Sequence, residues 1–148
     1  MIETTALTLS AAGSSVEKPF TVPVDQSYQF ILQFEFSSAE ARLQDTIVGD
    51  NHRAECDEAP ELLADKPEYG RPIPIRVLIR RVKDQTVVID KQFTSRCVLG
   101  FADKLKTRRI GSVNLARGEY TAELINVSAQ DGLSNIKTFI ALVPGTGK

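Results

Sequence analysis

The chain has no tryptophan, one histidine (His52), one methionine and two cysteines, and its lysines and arginines almost cancel its acids. Each scarcity removes a class of function. Without Trp, and with its Tyr and Phe mostly at core-phase positions, a sheet face for stacking sugars is disfavoured. A net charge of −1 argues against a surface devoted to nucleic acid or anionic lipid. No apolar run approaches the roughly 18 residues of a membrane span, and the first residues lack the basic start and apolar heart of a signal peptide. Also missing are a phosphate-cradling glycine loop, a Gly-x-Ser-x-Gly elbow and a His-Glu-x-x-His pair, so nothing points to catalysis and no cofactor is expected. The cysteines leave the compartment open. A Cys56–Cys97 bridge would close about 40 residues and contribute ~4 kcal/mol in the chain-entropy model, and two free thiols are the alternative.

What is present is period-two alternation. Leu7 and Leu9 sit in an opening strand, and Phe20, Val22 and Val24 form a second, with Pro23 predicting an edge position. Tyr28, Phe30, Leu32, Phe34 and Phe36 make the strongest run, with Gln29, Gln33 and Glu35 on a face expected to be wet. Ser38 to Val48 reads as a short helix with a hydroxyl cap, stopped by Gly49. Ile73 to Arg80 and Thr86 to Phe93 read as a hairpin, 95–107 as irregular and Lys-rich, and Arg109 to Asn114, residues 119–128 and Leu133 to Val143 as further strands. Within Leu115-Ala116-Arg117-Gly118-Glu119-Tyr120, the tyrosine is placed to bury its ring and bond its hydroxyl back to the turn, as in a tyrosine corner. The expectation is a mainly β, two-sheet antiparallel sandwich of Greek-key or immunoglobulin-like type, with about eight strands and one short helix. It forms a single domain over residues 1–148, with 145–148 as a frayed tail.

Residues 50–71 form a long, acidic, proline-containing segment with little periodicity, the main candidate for a functional loop. His52 with Cys56 or Cys97 would supply a base and a nucleophile, but no orienting group or oxyanion hole has a signature here. His52 and Cys56 with Asp50 and Asp57 could assemble soft and hard ligands, yet a structural zinc is disfavoured, because it wants four Cys or His ligands and the chain has only His52, Cys56 and Cys97. Calcium has weak candidates in Asp50, Glu55, Asp57 and Glu58, without a fixed ligand spacing. Asp50, His52, Arg53, Glu58, Glu61, Leu62 and Leu63 are the candidate partner-binding residues. Lys104, Lys106, Arg108 and Arg109, with Arg80, Arg81 and Lys83 elsewhere, form a basic set; alternation puts Lys104, Lys106 and Arg108 on one side, expected to be solvated.

The run Lys18-Pro19-Phe20-Thr21-Val22-Pro23-Val24, the Tyr28 to Phe36 strand, Ile47-Val48-Gly49, Pro72 to Val77, Arg109-Ile110-Gly111 and Leu115-x-x-Gly118-x-Tyr120 together resemble an uncharacterised family of small bacterial β-sandwich proteins. The resemblance implies one sandwich domain, often an envelope lipoprotein, with no catalytic residues to carry over. This chain lacks a lipobox cysteine. The expected location is the periplasm or envelope where an export signal has been removed, and otherwise the cytoplasm. The favoured function is binding another protein without catalysis; a calcium- or small-ligand module is the alternative, and an unrecognised hydrolase stands third. Neither nucleic acid nor a membrane span is expected, and the oligomeric state is open.

Overall fold

A computed structural model describes residues 1–49, 70–96 and 98–145. The described residues form nine strands and one short helix: β1 (Ile2–Ala6), β2 (Ser15–Val22), β3 (Gln26–Glu35), α1 (Ala39–Gln44), β4 (Ile73–Arg81), β5 (Val87–Ser95), β6 (Val98–Ala102), β7 (Leu105–Leu115), β8 (Gly118–Asn126) and β9 (Lys137–Pro144). They pair antiparallel in two sheets, ordered β1-β9-β3-β7-β6 and β2-β8-β4-β5. This is the expected two-sheet sandwich. Its extra strand is β6, which folds back on β7 where the sequence reads as irregular. Two short edge-to-centre hairpins, β4–β5 and β6–β7, keep neighbours in one sheet, while the other connections cross between sheets.

Alternation explains the core. Phe30, Leu32 and Phe34 of β3, Ile73, Ile75, Val77 and Ile79 of β4, and Leu124, Ile140 and Leu142 are all fully buried and meet between the sheets. Pro23 follows directly on β2, which is indeed an edge strand. The outer side of β3 is drier than its glutamines suggest: Gln29, Gln33 and Glu35 are half-buried and Ile31 is buried. The reason is position. Strand β3 is flanked on both sides, with Ile31 opposite Arg109 and Gln33 opposite Phe139.

Strand β7 changes phase midway. Phe30 faces Gly111 while Ile31 faces Arg109, so Ile110 is an extra residue and β7 carries a bulge. Before the bulge Lys106, Arg108 and Ile110 point inward; after it Gly111, Val113 and Leu115 do. At Gly111 the phenyl ring of Phe93 from β5 closes on the backbone so tightly that a Cβ would sit 2.1 Å from it. Glycine is required there for the sheets to approach.

At one end of the sandwich the tyrosine corner is present, and it is doubled. The Tyr120 hydroxyl donates to the Ala116 carbonyl at 2.7 Å, and the Tyr28 hydroxyl donates to the Val24 carbonyl, four residues back in the same way, also at 2.7 Å. Asp25 Oδ1 accepts from the Arg117 amide at 2.7 Å, so the turn entering β3 is bonded to the turn entering β8 in the opposite sheet. Phe20 stacks on Tyr120 at 5.6 Å. Gly145, read as part of a frayed tail, donates to the Ser27 carbonyl at 2.9 Å and is tied to the same end.

Both hydroxyls are satisfied inside the fold, so Tyr28→Phe and Tyr120→Phe should each destabilise by about 1 kcal/mol or more, leaving a carbonyl unpaired. Denaturant midpoints measure it, and an unchanged midpoint for either would remove that corner's role in stability.

Candidate functional site: a buried ionic neck

At the other end, helix α1 begins with Ser38, whose hydroxyl accepts from the Ala41 amide at 3.0 Å, and it ends five residues before Gly49 rather than running up to it. The cause is Asp45. Its carboxylate accepts from the amides of Ile47, Val48 and Gly49 at 3.0–3.1 Å, which bends the chain into a turn where a helix would have used those amides differently. The same carboxylate accepts from Lys106 Nζ at 2.8 Å, and both side chains are only 3% exposed. Lys106 also donates to the Gly49 carbonyl at 2.5 Å and lies over the Phe36 ring.

One rung further along β7, Arg108 is completely buried. Its guanidinium donates to the carbonyls of Val48 (3.3 Å), Arg71 (2.6 Å) and Ser95, and it lies over the Phe34 ring. The Arg71 amide in turn donates to the Ile47 carbonyl at 2.8 Å. Gly70, in the left-handed region at φ +89°, presses so closely on this stem that a Cβ would sit 2.1 Å from the Val48 carbonyl oxygen. Outside the neck, Arg71 reaches Asp131 through its carbonyl at 2.7 Å and its carboxylate at 3.1 Å.

Two inward-facing cations of one strand therefore hold both stems of the 50–69 segment together. This corrects the reading of Lys104, Lys106 and Arg108 as a solvated face. Alternation put Lys106 and Arg108 on one side, but the bulge at Ile110 and the pairing of Lys106 with Phe34 and Arg108 with Leu32 make that side the interior. Lys104 alone of the three is exposed. Among the described residues, main-chain carbonyls with their partial negative charge accept from both cations beside the Asp45 carboxylate, which offsets the cost of burying them.

The electrostatics favour the ionised pair. Burial works against ionisation of Asp45, but the hydrogen bond from Lys106 and the amides of Val48 and Ile47 outweigh it and hold the carboxyl below its ordinary value of 3.8. The hydrogen bonds that Asp45, Lys106 and Arg108 make with described residues all hold the chain at this spot. Among the described residues no three His, Cys, Asp or Glu side chains gather as a metal site, and no helix is long and apolar enough to cross a membrane.

The sequence candidates Asp50, His52, Arg53, Glu55, Asp57, Glu58, Glu61, Leu62 and Leu63 lie outside the described residues, as does the Cys56–Cys97 pairing. The structure brings together the residues on either side of that segment instead. Asp45, Gly70 and Arg71 were missed as site residues. The available signal was local: an Asp two to four residues before Ile-Val-Gly has the spacing for a carboxylate that caps a turn.

The chain matches the family model described as a domain of unknown function, DUF5625, over residues 5–144. It belongs to that family. In the solved structures, the crystal structure of a protein from Sulfurospirillum deleyianum is similar, with a TM-score of 0.70, 22% identity and 97% of each chain covered. At that identity the likeness is one of fold. No curated protein matches the chain.

Removing one partner of the neck should cost more than a surface ion pair would. Lys106→Met is expected to destabilise by roughly 3–5 kcal/mol, because it leaves the Asp45 carboxylate buried without a cation. The pH dependence has a fixed sign. Since folding lowers the Asp45 pKa, the pair's contribution is complete above the ordinary value of 3.8 and is lost as pH falls through the lower folded value. Stability measured against pH should therefore fall less steeply on the acid side in Asp45→Asn than in the wild type; parallel curves would show that the pair carries no such linkage.

Proposed function

We propose that this DUF5625 protein is a non-enzymatic, single-domain β-sandwich that binds another protein through the segment carried on the neck. The observation that supports the reading is the clamp itself: Lys106 and Arg108 hold Val48, Gly49 and Arg71 at one spot on the sandwich. A rigid scaffold that fixes both stems of a long segment is the usual arrangement of recognition loops. Charge suggests the partner's chemistry. Residues 50–69 contain seven acids against Arg53 and Lys66, a net charge of −5; since the whole chain carries −1, the remainder carries +4. The partner surface is accordingly basic. On the resemblance to envelope sandwich proteins, the reading extends to the periplasm or envelope where an export signal has been removed, and otherwise to the cytoplasm.

A linker-replacement experiment separates fold from function. The stems already touch, so a few Gly and Ser residues joining Gly49 to Gly70 in place of 50–69 should leave the melting temperature within a few degrees. Capture of a partner by the wild-type protein, identified by mass spectrometry and reconstituted with purified components, should be lost in the linker variant and weakened by Glu55→Gln, Glu58→Gln and Glu61→Gln together. Undiminished binding by the linker variant would overturn the assignment. The same acids are the basis of the calcium alternative: a calcium-dependent rise in melting temperature that disappears in the linker variant would favour it, since a ligand of the folded state alone must stabilise that state.

A further inference from the structure

The basic residues of the sequence do not gather on one face. Arg81 and Lys83 lie where β4 ends, and β4 begins at the neck that holds Lys106 and Arg108; its nine residues put the two ends of the sandwich roughly 25 Å apart. At this far end the β4–β5 turn and the tyrosine corner enclose a cleft of about 510 Å3, lined by Arg81, Val82, Lys83, Arg117, Glu119 and Tyr120 with Gly118. That is within the range of small-ligand sites, roughly 300–1,000 Å3, and well beyond the room a few waters need.

Its walls are fixed by backbone bonds. The Val82 amide donates to the Glu119 carbonyl at 3.0 Å, joining the turn to the corner, and Arg81 faces Tyr120 across the β4–β8 ladder. Within the turn the Arg81 amide donates to the Thr86 carbonyl at 2.9 Å, and the Gln85 amide to the Arg81 carbonyl at 2.8 Å. On the other wall the Arg117 amide is held by Asp25, and the Tyr120 hydroxyl by Ala116. Three cations thus stand on a rigid frame, with Glu119 as the one acid lining the cleft.

These cations are available. Arg81 pairs with Asp84 at 3.3 Å, but both side chains are nearly half exposed, and a contact of that kind holds little energy and yields to a better acceptor. Among the described residues neither Lys83 nor Arg117 forms an ion pair. Two unpaired cations and a weakly held arginine around one concavity match a compact group with more than one negative charge, and guanidinium forks suit phosphate oxygens. We propose that this cleft binds a small phosphorylated molecule, with Lys83, Arg117 and Arg81 on its phosphates. The inference is independent of the segment on the neck.

The test is an amide NMR titration of the full chain with inorganic pyrophosphate and with ADP in low-salt buffer. Saturable shifts are expected at Arg81, Val82, Lys83, Gly118 and Glu119, weakening as salt is added. Equal affinity for the two probes would mean that the phosphates alone are recognised; tighter binding of ADP would mean a nucleotide-borne group, and either result sustains the site. Lys83→Ala with Arg117→Ala should reduce affinity about tenfold or more, given what a charged hydrogen-bond pair contributes. These side chains are exposed, and the Arg117 amide that Asp25 holds is retained, so the fold survives and the spectrum reports it. Lys104→Ala, an exposed cation away from the cleft, should leave affinity within about twofold. Absence of saturable shifts, shifts mapping elsewhere, an undiminished double variant, or an equal loss in Lys104→Ala would each overturn the proposal.

Discussion

The structure depends on how two buried cations are neutralised. Lys106 and Arg108 occupy successive inward positions of β7, facing aromatic side chains rather than water. An ammonium and a guanidinium in such a place are costly unless every donor finds an oxygen. Among the described residues Asp45 supplies a charge, and the carbonyls of Val48, Gly49, Arg71 and Ser95 supply further acceptors. The requirement runs in both directions: the cations need those carbonyls, and Val48, Gly49 and Arg71 belong to stretches outside the strands, with no ladder to satisfy them. The stems between β3 and β4 and the end of β5 are thereby fastened to the same strand.

The two ends of the sandwich solve the same problem with different chemistry. At the corner end the turns are closed by neutral bonds from Tyr28 and Tyr120 and are linked across the sheets by Asp25. At the neck end the closure is ionic and deeply buried. The Asp45–Lys106 pair is tied to a carboxyl whose pKa folding lowers, so the closure of the neck is lost as pH falls through that lowered value. The corner end, by contrast, keeps its cations outside the frame, where they are open to solvent and to a ligand.

Membership of DUF5625 and the likeness to the Sulfurospirillum deleyianum structure agree with a sandwich and leave its work unspecified. What the neck shows is a geometry, with Val48, Gly49 and Arg71 fixed at one spot on the sandwich.

Much of the fold was determined by sequence. Strand alternation, the Pro23 edge, the hairpin of β4 and β5 and the Tyr120 corner are written in patterns a few residues long, because a pleated strand sorts its side chains by parity and a corner needs its residues at fixed spacing. Parity also placed Lys106 and Arg108 on one side, yet it could not say which side. That depended on a bulge at Ile110 and on pairing with β3, some 70 residues away in the chain, and both are tertiary. Strand β6 was hidden for a related reason: its pairing with β7 is what makes Val98 to Ala102 a strand, not its composition. The meeting of Asp45, Gly49, Gly70 and Arg71 under two buried cations, and of Arg81, Lys83 and Arg117 around a cleft at the far end, was likewise decided only when the sheets closed, since neither group is contiguous in sequence.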